Sequence, residues 1–174
     1  AYDARTVGVL LDEAETALEF AAGSDAERAE LRGTLAAIGA AAADARHDTL
    51  RTIDLAREAL AALPADRVFW RAVTTVVLGM AYAAIGDPAA SQTLVQALTI
   101  SQGAGNRSLA MVAMMNLAVR RAAEGMLGSA ADLCRQGLAM AEEHAGAGLP
   151  VTVGLHVQLG QLWYEWNDLE AAAR

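Results

Sequence analysis

Apolar residues recur at helical spacing along the whole chain, broken at intervals by short polar turns. In AVTTVVLGMAYAAIGDPAASQTLVQALTISQ, residues 72–102, the periodic positions run to Ile85 and stop at Gly86. Asp87 then caps a second helix with Pro88 in its first turn, so the spacing predicts a helical hairpin. The phrase returns at residues 111–141, with Leu117–Ala118 in the place of Leu78–Gly79 and Gly125 in that of Gly86. It starts once more at Val151, with Leu159–Gly160, with Trp163 where Tyr82 stood, and with Asn167–Asp168 where Gly86–Asp87 stood. Leu78 and Leu117 are 39 residues apart, Leu117 and Leu159 42. Residues 35–64 form a degenerate copy, in which Ala59–Leu60 matches Gly137–Leu138 at a distance of 78 residues. Residues 9–20 read as the second helix of a preceding unit.

A period of about 40 residues with one hairpin per repeat implies stacking, because a single hairpin cannot bury its own apolar face. The expected architecture is an all-α superhelix of antiparallel helical hairpins. Its divisions are the second helix of a preceding repeat (1–22), repeats over about 25–64, 66–103 and 106–145, and the start of a last repeat (149–174). Small residues at Gly79, Ala118 and Gly160, and at Ala90, Ala130 and Ala172, allow close approach of neighbouring helices. Both ends fall within hairpins, so the sequence reads as a piece of a longer solenoid.

Composition supports the helical reading. The chain has 42 Ala and 22 Leu against 12 Val, 4 Ile and 5% aromatic residues, which excludes a β-sandwich or barrel. Charge then removes partners. The net charge is −8, and all 13 basic residues are Arg, scattered except for Arg120–Arg121. Without Lys there is no P-loop lysine and no Schiff base, and without a basic face no direct nucleic-acid contact is expected. The uncharged stretches 88–106 and 145–164 carry too many polar residues, Gly and Pro to span a bilayer. A lone Cys134 fits a reducing compartment, and a cytoplasmic location is expected.

Catalytic signals are missing. His47, His144 and His156 lie on different predicted elements, and Glu142–Glu143–His144 has the wrong order for a helical zinc site. Cys134 shares an apolar face with Ala130, Ala131 and Leu138 and reads as a small core residue. No enzyme, metal or cofactor is expected in this segment. What remains is a groove. The first helix of each hairpin would line a concave side, carrying Val76, Met80 and Ala83, then Met115, Val119 and Ala122, then Val157, Gln161 and Tyr164. This stripe is either a binding groove or the buried inside of a tightly wound superhelix. As a groove, Met80, Met115 and Val119 would form its apolar floor, and Gln161 and Tyr164 its polar and stacking contacts. Met115→Glu would then abolish binding without unfolding. Trp163, Tyr164 and Trp166 with nearby carboxylates and amides can stack on a sugar ring, although Trp163 sits in the packing slot of Tyr82.

These phrases carry a family likeness. LGMAYAAIGD at residues 78–87 resembles the first-helix and turn pattern of tetratricopeptide repeats, and Leu63–Pro64 is similar to their closing proline. LGQLWYEWNDLEAAA at 159–173 resembles the repeat of large ATP-dependent bacterial regulators with a LuxR-type DNA-binding end, the family of the maltose-regulon activator. Residues 32–66 and Ala104–Asn106 are similar to the same solenoid. The resemblance implies that the superhelix is right-handed and that it is an effector-sensing or protein-interaction segment, binding a small-molecule effector or a regulatory protein, with possible self-association. ATP would be bound only by an N-terminal domain absent from this sequence. The alternative is a general tetratricopeptide scaffold for peptides or proteins, with no transcriptional role.

Overall fold

In a computed structural model, residues 4–20, 22–143 and 150–166 are described. Eight helices and no strand occur among them: α1 (Ala4–Glu19), α2 (Asp25–Ala45), α3 (Thr49–Ala62), α4 (Val68–Ala84), α5 (Ala89–Gly103), α6 (Arg107–Ala123), α7 (Leu127–Glu142) and α8 (Pro150–Glu165). His144, the Asn167–Asp168 turn, Ala172 and the expected start of a further helix lie outside the described residues.

The turns explain where the helices stop. Gly86, Gly105 and Gly125 have φ of 71°, 65° and 78°, the left-handed conformation in which a Cβ is penalised. Each closes a helix with the paired bonds of a Schellman motif. At the first, the Gly86 amide donates to the Ala83 carbonyl (3.1 Å) and the Asp87 amide to that of Tyr82 (2.9 Å). The residue after the turn then starts the next helix. Asp48 and Asn106 accept from the amides three residues on, at 3.2 and 3.1 Å, and Asp87 accepts from Ala89 at 2.8 Å. α2 starts on a capping box, with Ser24 and Glu27 each accepting the other's amide.

The chain forms two compact units, Ala1–Ala90 and Ser91–Arg174. In the first, α2 packs on α1, α3 and α4, and α3 also packs on α4. In the second, α6, α7 and α8 pack on one another. A helix that touches both its successor and the next helix but one is what stacked hairpins produce. Of the 31 buried hydrophobic residues among those described, 16 are Ala, so the helices meet backbone to backbone around few large side chains. Gly33 shows how close this is: a Cβ there would stand 3.0 Å from the Leu63 backbone nitrogen. Buried hydroxyls are satisfied locally, Thr52, Thr74, Thr75 and Ser101 each donating to the carbonyl four residues back. Arg71 of α4 donates to the carbonyls of Leu60 and Leu63, meeting the open end of α3. Among the described residues no helix is long and apolar enough to cross a membrane.

Candidate functional site

Three helices carry the positions expected to line a groove. Val76 and Met80 stand on α4 in the first unit; Met115 and Val119 stand on α6, and Gln161 and Tyr164 on α8, in the second. In the first unit Val76 is only 4% exposed. It shares a face of α4 with buried Ala72 and Gly79, while Thr74, Leu78 and Ala81 bury a second face. Val76 therefore packs inward, which at this position is the buried alternative for the stripe and not the groove. Met80 is half-buried.

In the second unit Val119, Val157, Gln161 and Tyr164 open outward, whereas Met115 does not. Val119 is 48% exposed, Val157 55% and Tyr164 69%, and Gln161 is also exposed. The geometry of α8 groups them: Val153, Val157, Gln161 and Tyr164 fall at spacings of four, four and three along one face. α6 packs against this helix, and Met115 is one of the side chains that reach it. Its sulfur lies so close to the α8 backbone at Gly154 that a Cβ there would collide with it. Met115 is half-buried and joins the cluster around Met111, Cys134 and Leu155. It supports α8 from beneath, so a charge at Met115 would disturb packing as well as any surface above it. Gln161 and Tyr164 come together with Gly160 and Glu165 around an open depression of ≈ 600 Å³. A phenol ring, an amide and a carboxylate beside exposed valines can stack on a flat or ring-shaped ligand and hydrogen-bond its polar edge. Trp163 is half-buried against the core of this unit, whereas Trp166 is exposed.

Burial pushes the Cys134 thiol up to about 11, against a weaker opposing pull from Arg135, so it stays protonated within the core. No cluster of three His, Cys, Asp or Glu side chains able to hold a metal occurs among the described residues. His47 and His156 are exposed. Glu124 ties three partners together: Ser91 donates to it at 2.9 Å, Arg120 at 2.9 Å and Arg121 at 3.3 Å. The Ser91 bond, helped by the two guanidiniums, holds this carboxyl below its ordinary range.

A second concavity, of ≈ 330 Å³, lies in the first unit between α1, α2 and α3, with Arg32, Arg51, Glu15 and Glu58 around it. Sequence reading passed over it. The available signal was the flanking of apolar positions by charge at i, i+3 and i+4, as in Arg32, Leu35 and Ala36. On one helix that pattern is indistinguishable from an ordinary solvated border.

Comparison with known proteins gives the wider context. The family described as the MalT-like TPR region matches residues 33–174. The chain is also similar to the crystal structure of BtubC (BKLC) from P. vanneervenii, with 18% identity, 97% of this chain and 67% of that chain covered, and a TM-score of 0.72. At that identity the likeness shows the fold alone, an all-α array of helical hairpins. No curated protein matches the chain. With tetratricopeptide-like hairpins in both units and a match spanning most of the sequence, the chain belongs to the family of the MalT-like TPR region.

Proposed function

We propose that this chain is the effector-sensing segment of a LuxR-type transcriptional regulator, binding a small ligand or a regulatory protein on the α6–α8 surface. The observation that carries this reading is the match to the MalT-like TPR region over residues 33–174. The exposed Tyr164, Gln161, Val157 and Val119 supply a surface with both stacking and hydrogen-bonding capacity. Met115 holds the two helices in register beneath it. The mechanism is a shift of population: the effector moves the parent protein toward its active arrangement only as far as it binds that arrangement more tightly. The segment acts in the cytoplasm as a binding module, with catalysis, ATP and DNA contact left to other parts of a longer protein. A net charge of −8 and the absence of Lys support that division.

The test is a titration of the whole chain with oligosaccharides, sugar phosphates and nucleotides, followed by tryptophan fluorescence. One class should give a saturable change, weakened at least about tenfold by Tyr164→Ala and by Val119→Asp. Both positions are exposed, so the helix content should be unchanged. Equal affinity in wild type and Tyr164→Ala, or no saturable response to any class, would remove this surface from the mechanism.

A further inference from the structure

The concavity between α1, α2 and α3 has a composition that its neighbours do not explain. Its floor is aliphatic: Leu18, Ala36 and Leu55 are buried, and Leu35 is half-buried. Leu55 is pressed toward α2 at Gly39, where an added Cβ would stand 3.3 Å from its Cδ1, which fixes the floor in place. Its rim is charged and balanced, with Arg32 on α2, Arg51 and Glu58 on α3, and Glu15 on α1. The periodicities agree, since Arg32, Leu35 and Ala36 share one face of α2 and Arg51, Leu55 and Glu58 share one face of α3.

Opposite charges gathered on one rim ordinarily pair with each other. Among the described residues these four side chains make no ion pair and no side-chain hydrogen bond, whereas Arg28, Arg67, Arg120, Arg121 and Arg135 all do. Two guanidiniums and two carboxylates thus stand open around an apolar floor, in a space at the small end of the range for ligand sites. A guanidinium takes a carboxylate through two parallel bonds, and a carboxylate takes an ammonium. A ligand carrying only one charge would leave half of the rim unanswered.

The geometry points to this pocket as a binding site for a small zwitterion with a branched aliphatic tail, the chemistry of a free α-amino acid such as leucine. Its carboxylate meets Arg32 and Arg51, its ammonium meets Glu15 and Glu58, and its side chain covers the leucine floor. The site lies wholly within the first unit and does not depend on the α6–α8 surface.

Calorimetric titration of the whole chain with L-leucine tests it. Saturable binding is expected, weakened at least about tenfold in Arg51→Gln and in Glu58→Gln. Both residues are exposed, so circular dichroism should show unchanged helix. Leucinamide, which lacks the carboxylate, and isocaproate, which lacks the ammonium, should each bind at least about tenfold more weakly than leucine. No saturable heat with leucine up to about 10 mM would overturn the proposal. So would isocaproate binding as tightly as leucine, or leucine binding that both rim variants leave unchanged.

Discussion

His47 stands at φ 59° after α2, in the place that Gly86, Gly105 and Gly125 take after α4, α5 and α6. The bonding is the same: the His47 amide donates to Asp44 at 2.8 Å and the Asp48 amide to Ala43 at 3.0 Å. An L-residue in this conformation costs about 1–2 kcal/mol, and a glycine avoids it while losing more freedom on folding. His47 is exposed, so little packing is lost with its ring. His47→Gly should therefore stabilise the protein by about 0.5–1 kcal/mol, seen as a higher urea midpoint at unchanged slope. A lower midpoint would mean that the attraction between His47 and the Asp44 carboxylate, which opposes the effect of burial on that carboxyl, outweighs the strain of the turn. The three glycine turns mark helix ends by composition, and Gly86 and Gly125 are readable as stops from the sequence alone. His47 is not, because nothing in a histidine announces a left-handed backbone. Cys134 was readable as core from its face, since Ala130 and Ala131 beside it are buried as well.

Three helix joins, α2–α3, α4–α5 and α5–α6, share one device, a left-handed residue followed by a side chain that caps the next helix, whereas α3 ends on an extended Leu63. The α6–α7 turn keeps the first half and lacks the second. Met126 stands at the cap of α7 with φ −89° and ψ 58°, close to Asn106 at −86° and 85°, but makes no side-chain cap bond. Its sulfur instead accepts a long contact from Arg121 at 3.6 Å. Met126→Asp would offer an acceptor to the Ser129 amide and a negative charge to the N-terminus of α7 beside Arg121. The expected gain is about 1 kcal/mol, measured as a raised thermal midpoint. No rise would show that the thioether contact already contributes as much as a cap. Element order was legible because turn and cap residues recur near a fixed period. The closure of α3 by Arg71 was not, since its donors reach carbonyls eight and eleven residues away through packing that no local pattern encodes.

On the scale of the molecule, repeat period and facing separate. The period is a property of the chain, and Leu78, Leu117 and Leu159 are all buried as equivalent positions should be. Facing depends on how many sides of a helix are covered, which is why Val76 is buried while Val157, at the equivalent position, is open. The sequence shows the stripe but not its coverage. The same architecture governs how damage spreads, because stacked repeats pass destabilisation chiefly to their nearest neighbours. Leu155 tests this. It is fully buried, and a Cβ at Gly137 would stand 2.8 Å from its Cδ1, so this side chain packs directly between α7 and α8. Leu155→Ala leaves a cavity in the cluster that also holds Cys134 and Leu159, at a cost of about 3–5 kcal/mol. Amide hydrogen exchange should accelerate in α6, α7 and α8, which share that cluster, while α2 and α3 keep their protection. Equal acceleration in α2 and α3 would show instead that both units open in one cooperative step. An effector bound on one unit would then be felt throughout the chain without any nearest-neighbour relay.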